Sequence, residues 1–599
     1  MKNKKPHKPK SKAARVLTSL LVTLVFGLVY FYLSLPALNF QDSDFYFFLI
    51  LLCVVFMAST LFNSGFQIDP NGGIREYFRF VKSQCLPAGI IIVLVLAVGL
   101  IGALVSMPIF RAADYRDLLD VQDGDFVQDI NQISFDKIPT LDRASAEYLG
   151  DRQMGTLSDM VSQFEYSNDS TQINYQGRPV RVAPIAYADL IKWFTNRSQG
   201  LPAYVLVDMV TQEATVVRLQ EGMKYSFSEP LNRNIMRHLR FHYPTFMFDT
   251  PQFEVDENGQ PWWIAPRVVK TIGLFGGTDI QGAVLVNAIT GECTYYDDVE
   301  NKVPTWVDNV YTPALIMEQY DYHGTLINGF FNSILGQRDV TLSTEGYNYI
   351  ALNDDVYVYT GITSANADQS NLGFLLSNQR TKETRFYDAP GATEYAAMAS
   401  AEGEVQDLGY IATFPLLLNI AGEPTYFIPL KDATNLVKSY AMVNVAQYQL
   451  VTVASSVSAC EQSYTQLLAD RGIAEPEARP ETHISGVVDD IRSAVLEGTT
   501  YYFLRLEGGE VYYTISAVQN PAAVLLNIGD QVTIDHAPQA EGEDSSMLTA
   551  YSISIEGKSA PEEPIVPQTA GEEDIFSNET LPLQPEENGT VTVPILGAA

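Results

Sequence analysis

The stretch Val284–Tyr296, which reads VLVNAITGECTYY, decides the fold because two other parts of the chain repeat its pattern. Val205–Val217 (VLVDMVTQEATVV) and Leu375–Tyr387 (LLSNQRTKETRFY) align with it without gaps, sharing an Asp or Asn, a Thr and a Glu at the same positions. An apolar run, a polar turn and a second β-rich run predict a β-hairpin. Asx and Thr side chains suit the turn because they hydrogen-bond to nearby backbone groups. A weaker fourth copy lies at Ala441–Val453.

A second predicted hairpin precedes each copy. One of its strands reads GRPVRVAP from Gly177, GQPWWIAP from Gly259 and GEPTYFIP from Gly422, and Asn353–Thr360 takes this place in the third unit. A helical pattern ends each unit; the four helices are predicted over Glu229–His242, Pro304–Tyr320, Gly391–Ala401 and Ser456–Leu468. We therefore expect an α+β fold in which residues 172–473 form four repeat units of an antiparallel sheet plus a helix. A four-bladed propeller is the alternative, and the helix in each unit argues against it.

The hairpin text resembles that of a known class of bacterial domains. The segment Leu285–Thr294 (LVNAITGECT) is similar to the hairpin of PepSY-like and cystatin-like domains, with one such hairpin in each unit. The whole layout also resembles large, uncharacterised, membrane-anchored ectodomain proteins of Gram-positive bacteria. The PepSY-like resemblance implies a role in inhibiting or escorting other envelope proteins. It supplies no catalytic residues to transfer to this chain.

Three long apolar runs precede the repeats. Val16–Leu35 and Phe45–Phe62 contain no charged residue, and Leu86–Phe110 is the longest run. Crossing the hydrocarbon layer takes about 20 apolar helical residues, so we predict three transmembrane helices within residues 16–110. A cleaved signal peptide is the alternative for the first run, but two further spans follow it and no small-residue cleavage site stands out.

The basic residues predict which side of the membrane each segment faces. Residues 1–15 are rich in Lys and Arg and contain no acid, which is typical of a cytoplasmic tail. The first loop holds acids and no base, whereas Arg75, Arg79 and Lys82 make the second loop basic. We therefore expect a multi-pass cell-membrane protein with a cytoplasmic N-terminus. The rest of the chain is then extracellular, beginning with a membrane-proximal region over 111–171.

The charge balance narrows the classes of partner. The chain has 38 Lys or Arg and 71 Asp or Glu, for a formal net charge of −33. No nucleic-acid partner is expected, because phosphate contacts need a cationic surface. Four cysteines in 599 residues exclude a disulfide-built scaffold. Cys293 and Cys460 lie in different units and are expected to be buried free thiols, although the sequence leaves their pairing open.

The chain changes character after the repeats. Residues 474–482 form a linker containing Pro and Glu, and five short strand patterns within 483–557 resemble a small OB-like β-barrel. Barrels of that class bind oligonucleotides or sugars on their second and third strands. We expect about half of the aromatic residues on this hairpin to fill the barrel interior. They are Tyr501, Phe503, Tyr512 and Tyr513. Residues 558–599 predict a disordered acidic tail.

Two short motifs and the tryptophans are expected to be structural. Asp256–Gly259 (DENG) hints at a calcium loop, but Ala265 stands where the bidentate Glu belongs, so we predict a hairpin turn. Calcium binding by other adjacent carboxylates stays open. Gly273–Gly277 (GLFGG) lacks the strand–loop–helix frame of a phosphate loop, so we predict a flexible connector. The four tryptophans are expected to anchor the core; they are Trp193, Trp262, Trp263 and Trp306.

The densest basic cluster after the spans is the candidate functional site. It lies in NRNIMRHLRFH and consists of Arg233, Arg237, His238, Arg240 and His242. Internal salt bridges are the structural alternative, which we favour, and a patch for an anion or a partner is the functional interpretation. His238 and His242 have the i,i+4 spacing of zinc ligands, but Leu239 replaces the Glu of an HExxH motif, so no metal is predicted. The sequence predicts no catalytic residue and no cofactor.

These features favour a non-catalytic, membrane-anchored binding or scaffold protein of the bacterial cell envelope. Its expected partners are envelope proteins or cell-wall components. A surface hydrolase that uses His238, His242 or paired carboxylates is one alternative, and a subunit of a membrane complex is another. The sequence leaves the ligand, the oligomeric state and any ligand of the OB-like module open.

Overall fold

The computed structural model describes residues 12–63, 73–130, 138–352, 355–365, 370–473, 482–496, 499–517, 520–536 and 547–558. The chain forms two compact units, Met1–Glu477 and Ala478–Ala599, which are treated separately below. Parts of the predicted segments lie outside the described residues. Among them are residues 1–11 of the basic tail, 64–72 of the transmembrane region, 131–137 of the membrane-proximal region, 474–481 of the linker and 559–599 of the acidic tail.

Three helices at the start of the chain are long and apolar enough to cross a membrane, as the sequence predicts. They are Lys12–Ser34, Ser43–Phe62 and Gly73–Val105. Many of their large apolar side chains are exposed on the isolated molecule. A lipid environment covers such surfaces, whereas water does not. The chain is therefore a membrane protein on the evidence of these helices.

The third apolar helix differs from its predicted bounds at both ends. It begins at Gly73, so the three basic residues assigned to the second loop lie in its first turns. It ends at Val105, and a separate helix, Pro108–Arg116, begins three residues later. Proline has no N–H to continue the helical hydrogen bonds but fits the first position of a new helix. The predicted extension of the span to Phe110 was therefore wrong.

Four open sheets follow, and all four share one strand order. In each sheet one long strand has neighbours on both sides. Two short strands pair with one of its edges, and the next strand in the chain pairs with its other edge. That next strand pairs in turn with a further strand. The first sheet contains Phe164–Tyr166, Thr171–Tyr175, Arg178–Tyr187, Leu201–Asp208 and Ala214–Met223. The second contains Met247–Phe248, Gln252–Val255, Pro261–Ile272, Gly276–Asn287 and Cys293–Tyr296.

The third and fourth sheets repeat this arrangement. The third contains Thr341–Ser343, Asn348–Leu352, Asp355–Ser364, Ser370–Asn378 and Thr384–Ala392. The fourth contains Ile411–Ala412, Leu416–Ile420, Glu423–Lys431, Val437–Asn444 and Val451–Ala454. Each sheet therefore begins with a short strand that the four-strand pattern missed. Strands of two or three residues are too short to show an alternating pattern.

The shared Asx residues form the hairpin turns as their chemistry requires. The Asp208 carboxylate accepts hydrogen bonds from the backbone N–H groups of residues 210 and 211. Asn287 and Asn378 accept the equivalent pairs two and three residues further on. In the weaker fourth copy Asn444 accepts one bond, from the N–H of Gln447. The side chain thus replaces a backbone acceptor and fixes the turn.

A helix follows each sheet, with later starts than predicted in the first two units. The four helices are Ile235–His242, Pro313–Thr325, Glu394–Glu404 and Val457–Asp470. The first begins only after Asn234, whose side chain accepts the N–H of Arg237 and caps the helix. Residues 304–312, which were predicted to begin the second helix, lie before it. The N–H groups of Asp308 and Asn309 donate to the Glu254 carboxylate instead of to helical carbonyls.

The membrane-proximal region contributes to the sheets rather than forming a separate layer. Its strand Val121–Gly124 pairs in parallel with Thr384–Ala392 and becomes a sixth strand of the third sheet. Its longest helix, Arg143–Gly155, packs beneath the first sheet. The remaining short helices of the first unit are Phe126–Asp129, Leu190–Asn196, Val299–Lys302 and the π-helical turn Asn332–Gly336.

Each sheet contacts the next one in the chain, and the fourth sheet contacts the first, so the contacts form a closed ring. One buried core joins the first and second sheets, a second joins the second and third, and a third joins the third and fourth. Polar contacts complete the ring between the fourth sheet and the first. Lys431 Nζ lies 2.6 Å from the carboxylate of Asp142, and Gln212 Nε2 donates to the Tyr440 hydroxyl at 2.8 Å. The four sheets therefore enclose a common centre.

The four tryptophans are buried to different extents. Trp263 is fully buried between the first two sheets, and its indole N–H donates to the Tyr225 carbonyl at 2.9 Å. The other three tryptophans are half-buried, so the expectation of a core anchor is confirmed in full for Trp263 alone. Cys293 and Cys460 are both free thiols, as expected; Cys460 is completely buried, whereas Cys293 is half-buried, so the expected burial was wrong for Cys293.

The second of the two compact units contains a closed barrel of five strands. They are Thr482–Leu496, Thr499–Leu506, Tyr512–Ser516, Gln531–His536 and Met547–Ile555. Around the barrel the order in the chain is first, second, third, fifth, fourth, and only the third and fifth strands pair in parallel. A 3₁₀ turn, Pro521–Leu525, packs against it. Of the four hairpin aromatics, Tyr513 is buried and the other three are half-buried.

Candidate functional site

The basic cluster lies against the end of the first apolar helix. Arg237 Nε donates to the Tyr32 carbonyl at 3.0 Å, and Arg240 Nε donates to the Leu35 carbonyl at 2.9 Å. The last carbonyls of a helix have no partner within it, and the helix dipole places negative charge there. The two arginines therefore cap the first membrane helix and fasten the sheets to it.

Carbonyl groups take the place of the salt bridges that were the alternative for this cluster. Arg240 also donates to the carbonyls of Pro244 and Phe246, and Arg233 donates to that of Arg197. Within the described part of the chain, none of the three arginines of the cluster has a carboxylate within 4 Å of its guanidinium group. The expectation of salt bridges was therefore wrong for these arginines, because their guanidinium groups bond to backbone carbonyls instead.

A turn of the second sheet makes the matching contact with the third apolar helix. Ser106 Oγ accepts hydrogen bonds from the N–H groups of Leu274 at 2.9 Å and Phe275 at 3.0 Å. A Cβ atom at Gly102 would lie only 2.6 Å from Leu274, so glycine permits this close approach. The predicted flexible connector Gly273–Gly277 is thus the turn of a long hairpin that docks on a membrane helix.

The two histidines of the cluster acquire a third potential metal ligand from the second sheet. One ligand atom each from His238, His242 and Cys293 lie within 4.8 Å of one another. His238 Nε2 lies 2.7 Å from the Gly291 carbonyl, and burial lowers the pKa of His238. Burial also raises the pKa of Cys293 to about 11, so a metal ion would have to displace its proton. Cys293 could not be predicted as part of this group, because it lies on a hairpin that is distant in the sequence.

A cavity of about 570 Å³, lined by both polar and apolar side chains, lies between the sheets. Strands of the first three sheets contribute Arg181, Gln252 and Tyr349 to its wall, and the loop between the first two strands of the fourth sheet contributes Phe414. Single-sequence patterns did not predict this cavity, because its wall combines residues from four separate units. Its volume falls within the range of about 300–1,000 Å³ that small-molecule sites occupy.

Arg181 is the buried cation of this cavity. It lies on the strand Arg178–Tyr187 and is only 4 % exposed. Its Nη1 donates to the carbonyl of Ser170 at 3.4 Å and to the Ser170 hydroxyl at 3.2 Å. That hydroxyl donates to Glu147 at 2.7 Å, and Glu147 in turn pairs with Arg143 at 2.7 Å. Burial lowers the pKa of Arg181, yet a guanidinium group remains charged in a protein.

A buried carboxylate holds the neighbouring wall together. Glu254 is fully enclosed and accepts three hydrogen bonds, from the N–H groups of Asp308 and Asn309 and from the Asn309 side chain. The Asp308 carboxylate accepts the N–H of Asn174 at 2.6 Å, which joins the first sheet to this loop. Burial raises the pKa of Glu254 to about 7.

The comparisons with known proteins give no family for this chain, so its function is inferred from the residues described above. No protein-family model matches the chain, and no curated protein matches it either.

Proposed function

We propose that this chain is a membrane-anchored binding or scaffold protein of the bacterial cell envelope and that it acts without catalysis. The observation that carries the proposal is the cavity between the sheets, whose lining includes the buried cation Arg181. A binding role needs a preformed site of this kind, mostly apolar with a few placed polar groups, and catalysis needs in addition a nucleophile or a positioned acid and base.

The attachment of the sheets to the apolar helices supports an anchored function. Contacts reach the sheets from the first helix through Arg240 and from the third through Ser106. We infer that the N-terminus is cytoplasmic and that the sheets are extracellular, on the distribution of basic residues. Maleimide labelling of intact cells tests this orientation. A cysteine introduced at the exposed Arg178 in a chain without native cysteines is expected to react with an impermeant reagent.

We also propose that the four sheets are repeats of one PepSY-like unit and that the second unit of the chain is an OB-like module. The common strand order of the sheets and the shared Asx turns support the first proposal. The order of the barrel strands, with the third and fifth in parallel, supports the second. Each would extend the binding surface beyond the cavity.

Crosslinking of intact cells followed by mass spectrometry tests the binding role. We expect one recurrent envelope protein or wall fragment to be attached to residues 111–557. Crosslinks confined to the apolar helices would favour a subunit of a membrane complex instead. Absence of any recurrent partner at adequate crosslinking depth would contradict the scaffold function.

A surface hydrolase is the second candidate, and the group formed by His238, His242 and Cys293 favours it. Catalytic zinc sites commonly use three protein ligands and keep the fourth position for water. The purified protein is tested on peptides and glycans with added Zn²⁺, beside a His242→Ala variant. Zinc-dependent product release that the variant lacks would support this candidate, whereas absence of product would exclude it.

A further inference from the structure

The guanidinium group of Arg181 has an edge without acceptors. Among the described residues, its hydrogen bonds are those from Nη1 to the two oxygen atoms of Ser170. Nε is enclosed without a partner, and within the described part of the chain Nη2 makes no hydrogen bond. A carboxylate binds arginine through two parallel N–H bonds along such an edge. Arg181 therefore has the unused donors for an oxyanion at the wall of the cavity.

The charges around the cavity leave this arginine without a counter-ion of its own. Glu147 already pairs directly with Arg143, and Asp142 pairs with Lys431. The charged residues that line the cavity are Arg143, Arg181, Asp142 and Glu147, so the lining as a whole is balanced. Within the described part of the chain Arg181 itself has no direct carboxylate partner, and an oxyanion in the cavity would supply one.

Burying such a charge is costly for folding. An arginine removed from water without a paired carboxylate loses hydration that two bonds from one nitrogen do not replace. An apolar side chain of similar length would fill the same volume without this cost. The position therefore fits ligand binding better than stability.

A second unpaired group also lines the cavity. The Gln379 side chain is buried and donates from Nε2 to the Tyr311 carbonyl, but its Oε1 atom has no donor. A ligand with an N–H or O–H group would satisfy it. The cavity thus offers donors for an oxyanion and an acceptor for a second ligand group.

We propose that the central cavity binds a small organic carboxylate, whose oxygen atoms accept hydrogen bonds from Nε and Nη2 of Arg181 and whose N–H or O–H group donates to Gln379. This inference deepens the proposed binding function and rests on it. Amino acids, short peptides and hydroxy acids have this combination of groups.

The test uses the full chain in detergent, with L-glutamate, the dipeptide alanyl-alanine and inorganic phosphate as probes in thermal unfolding. We expect a carboxylate probe to raise the unfolding temperature of the wild type. Arg181→Met is expected to weaken its binding ~10–100-fold, the effect of losing charge-assisted hydrogen bonds. Arg178→Met is the matched control, since Arg178 lies on the same strand with its side chain 64 % exposed. This control should bind as the wild type does.

The ligand-free unfolding temperature separates a binding role from a structural one. If Arg181 serves a ligand, Arg181→Met without probe unfolds at the wild-type temperature or above it. A lower unfolding temperature together with an unchanged response to the probes would overturn the proposal. A response to phosphate alone, or to none of the three probes, would overturn it as well. These outcomes do not depend on crosslinked partners, so failure here leaves the scaffold proposal to its own test.

Discussion

Ser106→Ala should release the hairpin turn from the third apolar helix. Ser106 is 5 % exposed, and its hydroxyl is the acceptor for the N–H groups of Leu274 and Phe275. Alanine has no acceptor, so both N–H groups lose their partner at a buried contact. A net loss of about 1 kcal/mol for each bond gives about 2 kcal/mol for the docked state. This corresponds to ~30-fold faster opening of the contact.

Hydrogen exchange measured by mass spectrometry reports this opening directly. In the Ser106→Ala variant, the peptide that covers Thr271–Gly277 is expected to exchange ~30-fold faster, while the other sheets stay as protected as in the wild type. Thr18→Ala is the matched control, because the Thr18 hydroxyl on the first helix bonds only within its own helix, to the Ala14 carbonyl. Unchanged exchange of this peptide in Ser106→Ala would refute the docking.

Three further predictions concern the closure of the ring of sheets, a buried acid and the metal-capable group. Lys431→Met leaves the Asp142 carboxylate unpaired and should cost about 2 kcal/mol in urea unfolding, less than the ~3–5 kcal/mol of a fully enclosed pair. Lys302→Met removes an exposed pair that water already solvates, so it should cost clearly less than Lys431→Met, and equal costs of the two variants would contradict this prediction. Because the pKa of Glu254 is raised to about 7 from 4.5, its protonated form is favoured in the folded state, so stability should fall as the pH rises from 4.5 to 7. Unfolding of Glu254→Gln should lack this fall, and a wild type that gains stability over the same range relative to the variant would contradict the assignment. Cys293→Ser should weaken any binding of Zn²⁺ measured by calorimetry, and an equal affinity would remove Cys293 from the ligand set.

The hairpins could be predicted because the groups that form them are close in the sequence. The carboxylate of Asp208 bonds to N–H groups two and three residues away, so the turn is encoded locally. The apolar helices are equally local, since length and composition suffice to identify them. The short leading strand of each sheet was missed for the opposite reason. Such a strand pairs across the sheet and has too few residues to show a period.

The roles of the charged residues depend on the tertiary arrangement and were not predictable. Arg240 bonds to the carbonyl of Leu35, which lies in a different predicted region of the chain. Arg181 reads in the sequence as one more residue of an alternating strand, and only the meeting of four sheets buries it. Cys293 joins His238 and His242 through the docking of a helix on a hairpin. In each case the partner comes from a part of the chain that no local pattern connects.

Native mass spectrometry of the protein purified from its own membranes tests the central claim most directly. The claim is that the four sheets enclose a ligand-binding cavity with Arg181 in its wall. We predict that the wild-type chain has a bound small molecule with a carboxylate group and that Arg181→Met lacks it. Identical masses for the two chains, each matching the bare polypeptide apart from the substitution, would contradict the claim.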